Sequence, residues 1–322
     1  MLRKILKGLG IFLIVVVVGI SAVYLVSRHR ILNQLEAAGH MAQTSAGPIQ
    51  YGLIGKAGPV ILFAHGTPGG FDHTPFFSAS GFEGYRVLTP SRPGYMATPL
   101  DVGKTPEEQA KAYAALLDAL RIDEVVVIGV SGGGPSAIAF AAMYPQRTLA
   151  LIGLEALSQP SSKPLDIPSW MRSDFLFWTG ISLATELGGG RAVVGMFDPA
   201  DAERIETSPD GLERIHNWLW AAWPISLRLA GWRNDSEQFM RLALPIRKVT
   251  APTLILSGTA DEEAPYEDAE RLAAAIPGSR LYTVEGANHA MLLTHKDELN
   301  AVINEFLRHV LPEDAVTAPA DL

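Results

Sequence analysis

Residues 125–133 read Val-Val-Val-Ile-Gly-Val-Ser-Gly-Gly, and this stretch decides the fold. The first six residues are apolar and mostly β-branched, without the polar alternation of a half-exposed strand. Such a run fits a parallel strand buried on both faces. Gly129-x-Ser131-x-Gly133 comes next, then a helix predicted over 132–144 with small residues at Ala137, Ala139, Ala141 and Ala142. Strand, tight turn on a serine and small-residue helix together form the context of a nucleophile elbow. The turn forces its serine into strained backbone angles, so side chains two positions away would collide. Glycines at 129 and 133 remove that collision. The Ser131 hydroxyl then projects at a helix N-terminus, where the dipole and free N–H groups favour a developing negative charge. A chance Gly/Ser turn has the same letters without the strand and helix around it.

Working outward, strands are predicted at 49–54, 60–65, 85–90, 148–154, 253–258 and 280–286. Helices are predicted at 106–120, 266–276 and 291–311. In the first of these Ala110, Tyr113, Leu116, Leu117 and Leu120 share one face. Alternating strands and helices imply a mostly parallel α/β sheet flanked by helices. The α/β core spans 48–157 and 249–312. Between them, residues 158–248 are helical in character, broken by Pro and Gly, and hold all six tryptophans. An insertion of that length after the sixth strand reads as a cap or lid. Gly188-Gly189-Gly190 is expected to be a cap hinge, and residues 313–322 a flexible tail.

The loops after the other strands supply the remaining chemistry. His65-Gly66-Thr67-Pro68 follows the strand at 60–65. In this architecture that loop offers one oxyanion N–H, here Thr67, and the residue after the nucleophile, Gly132, offers the other. His65 precedes the nucleophile at a strand end, so it is read as bracing the loop with Gly66. The acid and base should follow the serine in chain order. Asp261, in Ser257-Gly258-Thr259-Ala260-Asp261, can accept from an imidazole and fix its tautomer. Glu262 and Glu263 are solvated competitors, and Glu155, ending the 148–154 strand, is the reserve acid. His289, in Gly286-Ala287-Asn288-His289, is the base. His295 is the runner-up, read as structural because it lies within a predicted helix.

From about residue 45 to 312 the chain resembles an α/β-hydrolase fold protein with a cap domain. The resemblance rests on the HG-x-P loop at 65–68, the Ser131 elbow, the G-x-x-D loop at 258–261 and the G-x-N-H loop at 286–289. Ser91-Arg92-Pro93-Gly94-Tyr95 also resembles the Ser-Arg-Pro-Gly-x-Gly segment of that superfamily, with Met96 in place of the second glycine. The resemblance implies a serine nucleophile and sets aside the aspartate-nucleophile dehalogenases and epoxide hydrolases. It implies little about the substrate.

Composition narrows the classes further. The 322 residues contain 26 Lys plus Arg, 34 Asp plus Glu and no cysteine. Absence of cysteine excludes disulfides, zinc–thiolate sites, iron–sulfur clusters and a cysteine nucleophile. A formal charge of −8 lacks the basic excess of a nucleic-acid binder. No metal spacing appears, and no cofactor is expected. Gly103-Lys104-Thr105 imitates the end of a phosphate loop, but Thr98 stands where its first glycine belongs.

The charge is unevenly spread. The first 30 residues hold five basic residues and no acidic one, and the other 292 hold 21 basic and 34 acidic. Gly8–Val26 is an uncharged run of 19 residues, as a helix about 28 Å long, close to the hydrocarbon thickness of a bilayer. Residues 1–30 are therefore expected to be a single-pass membrane anchor, and 31–47 a polar linker with helical character. A cleaved secretory signal is the alternative, but its apolar core is usually shorter. Basic residues at 3, 4 and 7 outweigh those at 28 and 30, which places the N-terminus in the cytosol and the domain outside.

The resulting expectation is a membrane-anchored serine hydrolase of carboxylic esters, with apolar acyl or alkyl groups met by the aromatic cap. The small-molecule partner is then a lipophilic ester. An amidase or proline iminopeptidase-like activity, a carbon–carbon bond hydrolase and a non-catalytic hydrolase-fold binding protein are the alternatives. Oligomeric state is left open.

Overall fold

The six residues Val125–Val130 form β5, and every one of them is buried. The computed structural model shows why a continuous apolar run suits this place. It describes all residues except 1, 75–81, 83, 188–190, 196 and 313–322. Val125 and Val127 pack in one hydrophobic cluster with Ala137, Ile138 and Phe140. Val126, Ile128 and Val130 point to the other face and pack with Leu299, Ile303 and Phe306. Side chains alternate across a strand, so a strand covered on both faces needs apolar residues at every position.

Eight strands make one sheet among the described residues: β1 (His40–Thr44), β2 (Gly47–Ile54), β3 (Val60–Ala64), β4 (Arg86–Pro90), β5, β6 (Thr148–Leu154), β7 (Thr253–Gly258) and β8 (Arg280–Val284). Their order is β1-β2-β4-β3-β5-β6-β7-β8. The pairings β1–β2 and β2–β4 are antiparallel. From β4 onward every pairing is parallel. This is the α/β-hydrolase architecture expected from the sequence.

The helices are α1 (Leu2–Ala38), α2 (Pro106–Ala119), α3 (Gly134–Met143), the cap helices α4 (Asp174–Ser182), α5 (Arg191–Val194), α6 (Pro199–Thr207), α7 (Gly211–Ala221) and α8 (Leu229–Phe239), then α9 (Tyr266–Ala275), α10 (Met291–Thr294) and α11 (Lys296–Val310). Helix α2 starts in a capping box. Glu108 N–H donates to Thr105 Oγ1 at 3.2 Å, and Thr105 N–H donates to Glu108 Oε2 at 3.0 Å. Thr105 of the phosphate-loop look-alike is thus a helix cap.

Two readings need correction. The helical character expected after residue 30 continues α1 only to Ala38; β1 and the start of β2, not a linker, lie in the rest of 31–47. Nothing between Arg30 and Ala38 breaks a helix, and Leu35 is buried against the folded body. The predicted helix at 291–311 is two helices, α10 and α11, meeting at His295. The hinge expected at 188–190 and the tail at 313–322 lie outside the described residues. The cap residues Ile167, Phe177, Trp178, Ile181, Trp223, Ile225 and Trp232 form a hydrophobic cluster of their own, so much of the aromatic content is cap core.

Candidate active site

Ser131 has φ +48°, in the left-handed region that non-glycine residues rarely occupy. The turn around it leaves no room for larger neighbours. A Cβ on Gly129 would sit 2.6 Å from Ala137 Cβ, and one on Gly133 would run into the Ala64 carbonyl oxygen. The strain is held by β5 on one side and α3 on the other. Backbone outliers of this kind cost about 1–3 kcal/mol and persist where surrounding packing enforces them.

The three residues expected from separate loops come together. Ser131 Oγ lies 2.9 Å from His289 Nε2. His289 Nδ1 lies 2.8 Å from Asp261 Oδ2. Asp261 Oδ1 accepts from the N–H groups of Glu263 and Ala264 at 2.9 and 2.8 Å. With Nδ1–H donating to the carboxylate, Nε2 is left to accept the serine proton, the tautomer a general base requires. The Asp261 side chain is fully buried and that of His289 is 18% exposed. Burial opposes a charge on His289, but its hydrogen bond to Asp261 and the carboxylates of Glu155, Asp261 and Glu263 outweigh it, raising the pKa to about 9.

The competing acids take other places. Glu263 Oε2 lies 3.7 Å from His289 Nε2, with its side chain 67% exposed, so it adds a screened charge near the base. Glu155 is buried with φ +49° and accepts from Met291 N–H at 2.9 Å. Burial pushes its pKa up to about 8, so it is largely neutral near pH 7. Glu155 thereby braces the backbone just after His289. Asn288, on the other side, donates to cap residues Asp198 and Asp201 at 3.2 and 2.9 Å. His295 is buried, 2.8 Å from Thr294 Oγ1.

Loop 65–68 lies against Ser131. A Cβ on Gly66 would approach Ser131 Cβ at 3.4 Å, and one on Gly132 would run into Thr67 Oγ1. Thr67 and Gly132 are therefore neighbours beside Ser131. His65 is fully buried, and burial and Arg92 hold its pKa well below the usual range. Its Nδ1 pairs with Gly66 O at 2.8 Å and its Nε2 accepts from Arg92 N–H at 2.9 Å. A neutral imidazole used on both nitrogens braces this loop.

Sequence reasoning did not find what holds Thr67. Asp235, from α8, accepts from Thr67 Oγ1, Tyr95 O–H and Arg92 Nη2 at 2.5 Å each, and from Arg92 Nη1 at 2.8 Å. The Arg92 and Asp235 side chains are 1% and 2% exposed. One helical turn on, the Phe239 ring tip would meet a Cβ on Gly132 at 2.8 Å. Helix α8 therefore sets a carboxylate on Thr67 and a phenyl ring beside Gly132. The only trace in sequence is the spacing of Trp232, Asp235 and Phe239 on one helix face. A second buried arginine, Arg228, pairs with Asp72 at 2.6 Å and contacts Met96 Sδ. Met96 has φ +53°, in the left-handed region that favours glycine. No group of three or more His, Asp or Glu residues suited to a metal ion occurs among the described residues.

A family model described as "Alpha/beta hydrolase family" matches residues 61–302. A 2-hydroxy-6-oxononadienedioate/2-hydroxy-6-oxononatrienedioate hydrolase of Pseudomonas putida is 24% identical over 81% of this chain and 92% of its own. Among solved structures, an alpha/beta hydrolase fold protein from Nakamurella multipartita is 31% identical, with a TM-score of 0.74 over 84% of this chain and 99% of that one. A membrane phospholipase A is 19% identical, with a TM-score of 0.64 over 96% of this chain and 99% of that one. That last match extends into α1.

Proposed function

Because this chain belongs to the alpha/beta hydrolase family, we propose that it is a membrane-anchored serine hydrolase of uncharged, apolar carboxylic esters. Ser131 Oγ attacks the carbonyl carbon while His289 Nε2 takes its proton. Asp261 holds the imidazole and stabilises the cation that forms. The N–H groups of Thr67 and Gly132 receive the oxyanion. His289 then protonates the departing alcohol, and water activated by His289 releases the acid from Ser131. The observation that carries this reading is the hydrogen-bonded series Ser131–His289–Asp261, with the serine on a strained elbow.

The preference for uncharged substrates rests on the buried arginines beside the site. Arg92 and Arg228 are each matched by a carboxylate, Asp235 and Asp72. Neither is a spare cation for an anionic substrate. The phenyl ring of Phe239 beside Gly132 adds an apolar wall. The second reading, carbon–carbon bond hydrolysis on the same residues, draws on the Pseudomonas putida relative. Its named dioate substrate carries two carboxylates, which the paired arginines do not favour.

The anchor reading rests on α1, whose side chains from Leu9 to Val18 are largely exposed and apolar. The basic excess at residues 3, 4 and 7 supports a cytosolic N-terminus.

The test is labelling with a fluorophosphonate, followed by turnover of p-nitrophenyl esters of increasing acyl length beside amides and a vinylogous 1,5-diketone acid. Labelling lost in Ser131→Ala and a preference for neutral esters support the proposal. Turnover of the diketone acid without ester turnover would replace it with the second reading. Full ester turnover by Ser131→Ala would remove it.

A further inference from the structure

Helix α1 is joined to the cap where its apolar run ends. The Tyr24 ring, inside that run, lies 5.2 Å from the Phe175 ring, 5.6 Å from Trp178 and 6.4 Å from Trp223. One turn later Arg28 pairs with Asp174, the first residue of α4, at 3.3 Å. Ile31 packs on the same cap cluster. The depth of Tyr24 in a bilayer therefore sets the depth of α4.

Helix α4 and its flanks present apolar side chains that the protein does not cover. Leu176 and Leu183 are seven positions apart, two helical turns, and each is at least half exposed. Between them lies Gly180, whose bare surface is roofed by the Trp170 indole; a Cβ there would meet that ring at 3.3 Å. Trp170 is itself 48% exposed, and Phe175 extends the patch towards Tyr24. We propose that the face formed by Trp170, Phe175, Leu176 and Leu183 rests in the lipid interface beside the anchor, making the cap a membrane-contacting element. This rests on reading α1 as a membrane span.

Three observations select lipid as the occupant. The patch is continuous with the apolar run through the Tyr24–Phe175 contact, so water is the less favourable neighbour on both sides of it. Trp170 and Tyr24 beside the end of a span suit the interfacial zone, where the amphipathic rings of tryptophan and tyrosine gather. Two bordering arginines are paired, Arg28 with Asp174 and Arg172 with Asp166, and the exposed Glu186, one turn past Leu183, faces His216 at 3.4 Å. A neutral patch on a body that is acidic outside its first 30 residues meets the acyl boundary through apolar area rather than through attraction to anionic headgroups.

The absence of cysteine makes the test clean. Single substitutions Val17→Cys in the span, Leu176→Cys and Leu183→Cys on the patch, and Glu270→Cys on exposed α9 each give the full chain one nitroxide. The labelled proteins are placed in phosphatidylcholine vesicles, and retained fluorophosphonate reactivity reports that each is folded. Collision of the label with oxygen, enriched in lipid, is compared with collision with a water-soluble nickel chelate. The ratio at 176 and 183 should exceed that at 270 several-fold and approach that at 17. Lipid-like values at 17 with water-like values at 176 and 183 would overturn the proposal while leaving the anchor intact. Labels at 176 and 183 shielded from both colliders, with spin–spin broadening, would assign the patch to a second copy and overturn it too. Water-like values at 17 would overturn the anchor reading and this inference with it.

Discussion

Asp235 offers the sharpest test of how the cap and the reaction are connected. Its carboxylate takes four hydrogen bonds, two from Arg92 and one each from Tyr95 and Thr67, in surroundings almost closed to solvent. Asp235→Ala would leave the Arg92 guanidinium buried without its counter-charge. Removing one partner of a buried pair costs about 3–5 kcal/mol. For a folded body of roughly 270 residues, with an unfolding entropy of about 2.1 cal/mol/K per residue, that corresponds to a fall in Tm of about 5–9 °C. The double variant Arg92→Met/Asp235→Leu removes both charges and should recover most of that stability, because well-packed apolar groups replace buried ion pairs at little cost. Activity should not recover with it. Thr67 loses the acceptor that holds its side chain, and a poorly placed oxyanion donor costs up to about 100-fold in kcat. Urea denaturation with Tm measurement and kcat for a p-nitrophenyl ester, on all three proteins, check this. A stability loss under about 1 kcal/mol in Asp235→Ala, or a double variant restored in kcat as well as in Tm, would refute the reasoning.

Three further outcomes follow from the site. Ser131→Gly should abolish labelling and ester turnover yet raise stability by about 1 kcal/mol, since glycine accepts φ +48° without strain; calorimetry and fluorophosphonate labelling check both halves. Gly133→Ala should cost about 1–3 kcal/mol and most of kcat, because its Cβ would meet the fixed Ala64 carbonyl oxygen rather than a side chain that can move. The general base works only when unprotonated, and its pKa is raised, so kcat/KM should climb with pH along a limb lying between 6.5 and about 9. Glu155→Gln removes a negative charge felt by His289 above about pH 8, and should move that limb to lower pH.

The residues of the candidate site were legible because each sits within a few residues of a strand end. The turn geometry at Gly129–Gly133 follows from local sterics, and the loops carrying Asp261 and His289 end β7 and β8 in chain order. Apolar runs located those strands. β1 escaped detection because His40-Met41-Ala42-Gln43-Thr44 is a short edge strand with one buried residue. No hydrophobic run marks it; its pairing with β2 makes it a strand.

What the sequence by itself determined was therefore local: a doubly covered parallel strand, a strained serine turn, the loops that answer it, and an apolar N-terminal helix. Only the tertiary structure decided which distant groups meet. Asp235 is 143 residues from Arg92 and 168 from Thr67, and no periodicity links them. Their encounter depends on how α8 settles across the strand ends, set by burial and charge pairing summed over the whole cap. The seating of Tyr24 against Phe175 is of the same kind. Short-range sterics and hydrophobic alternation act along the chain and can be read there, whereas contacts between the cap, loop 65–68 and α1 exist only once the chain has folded back on itself.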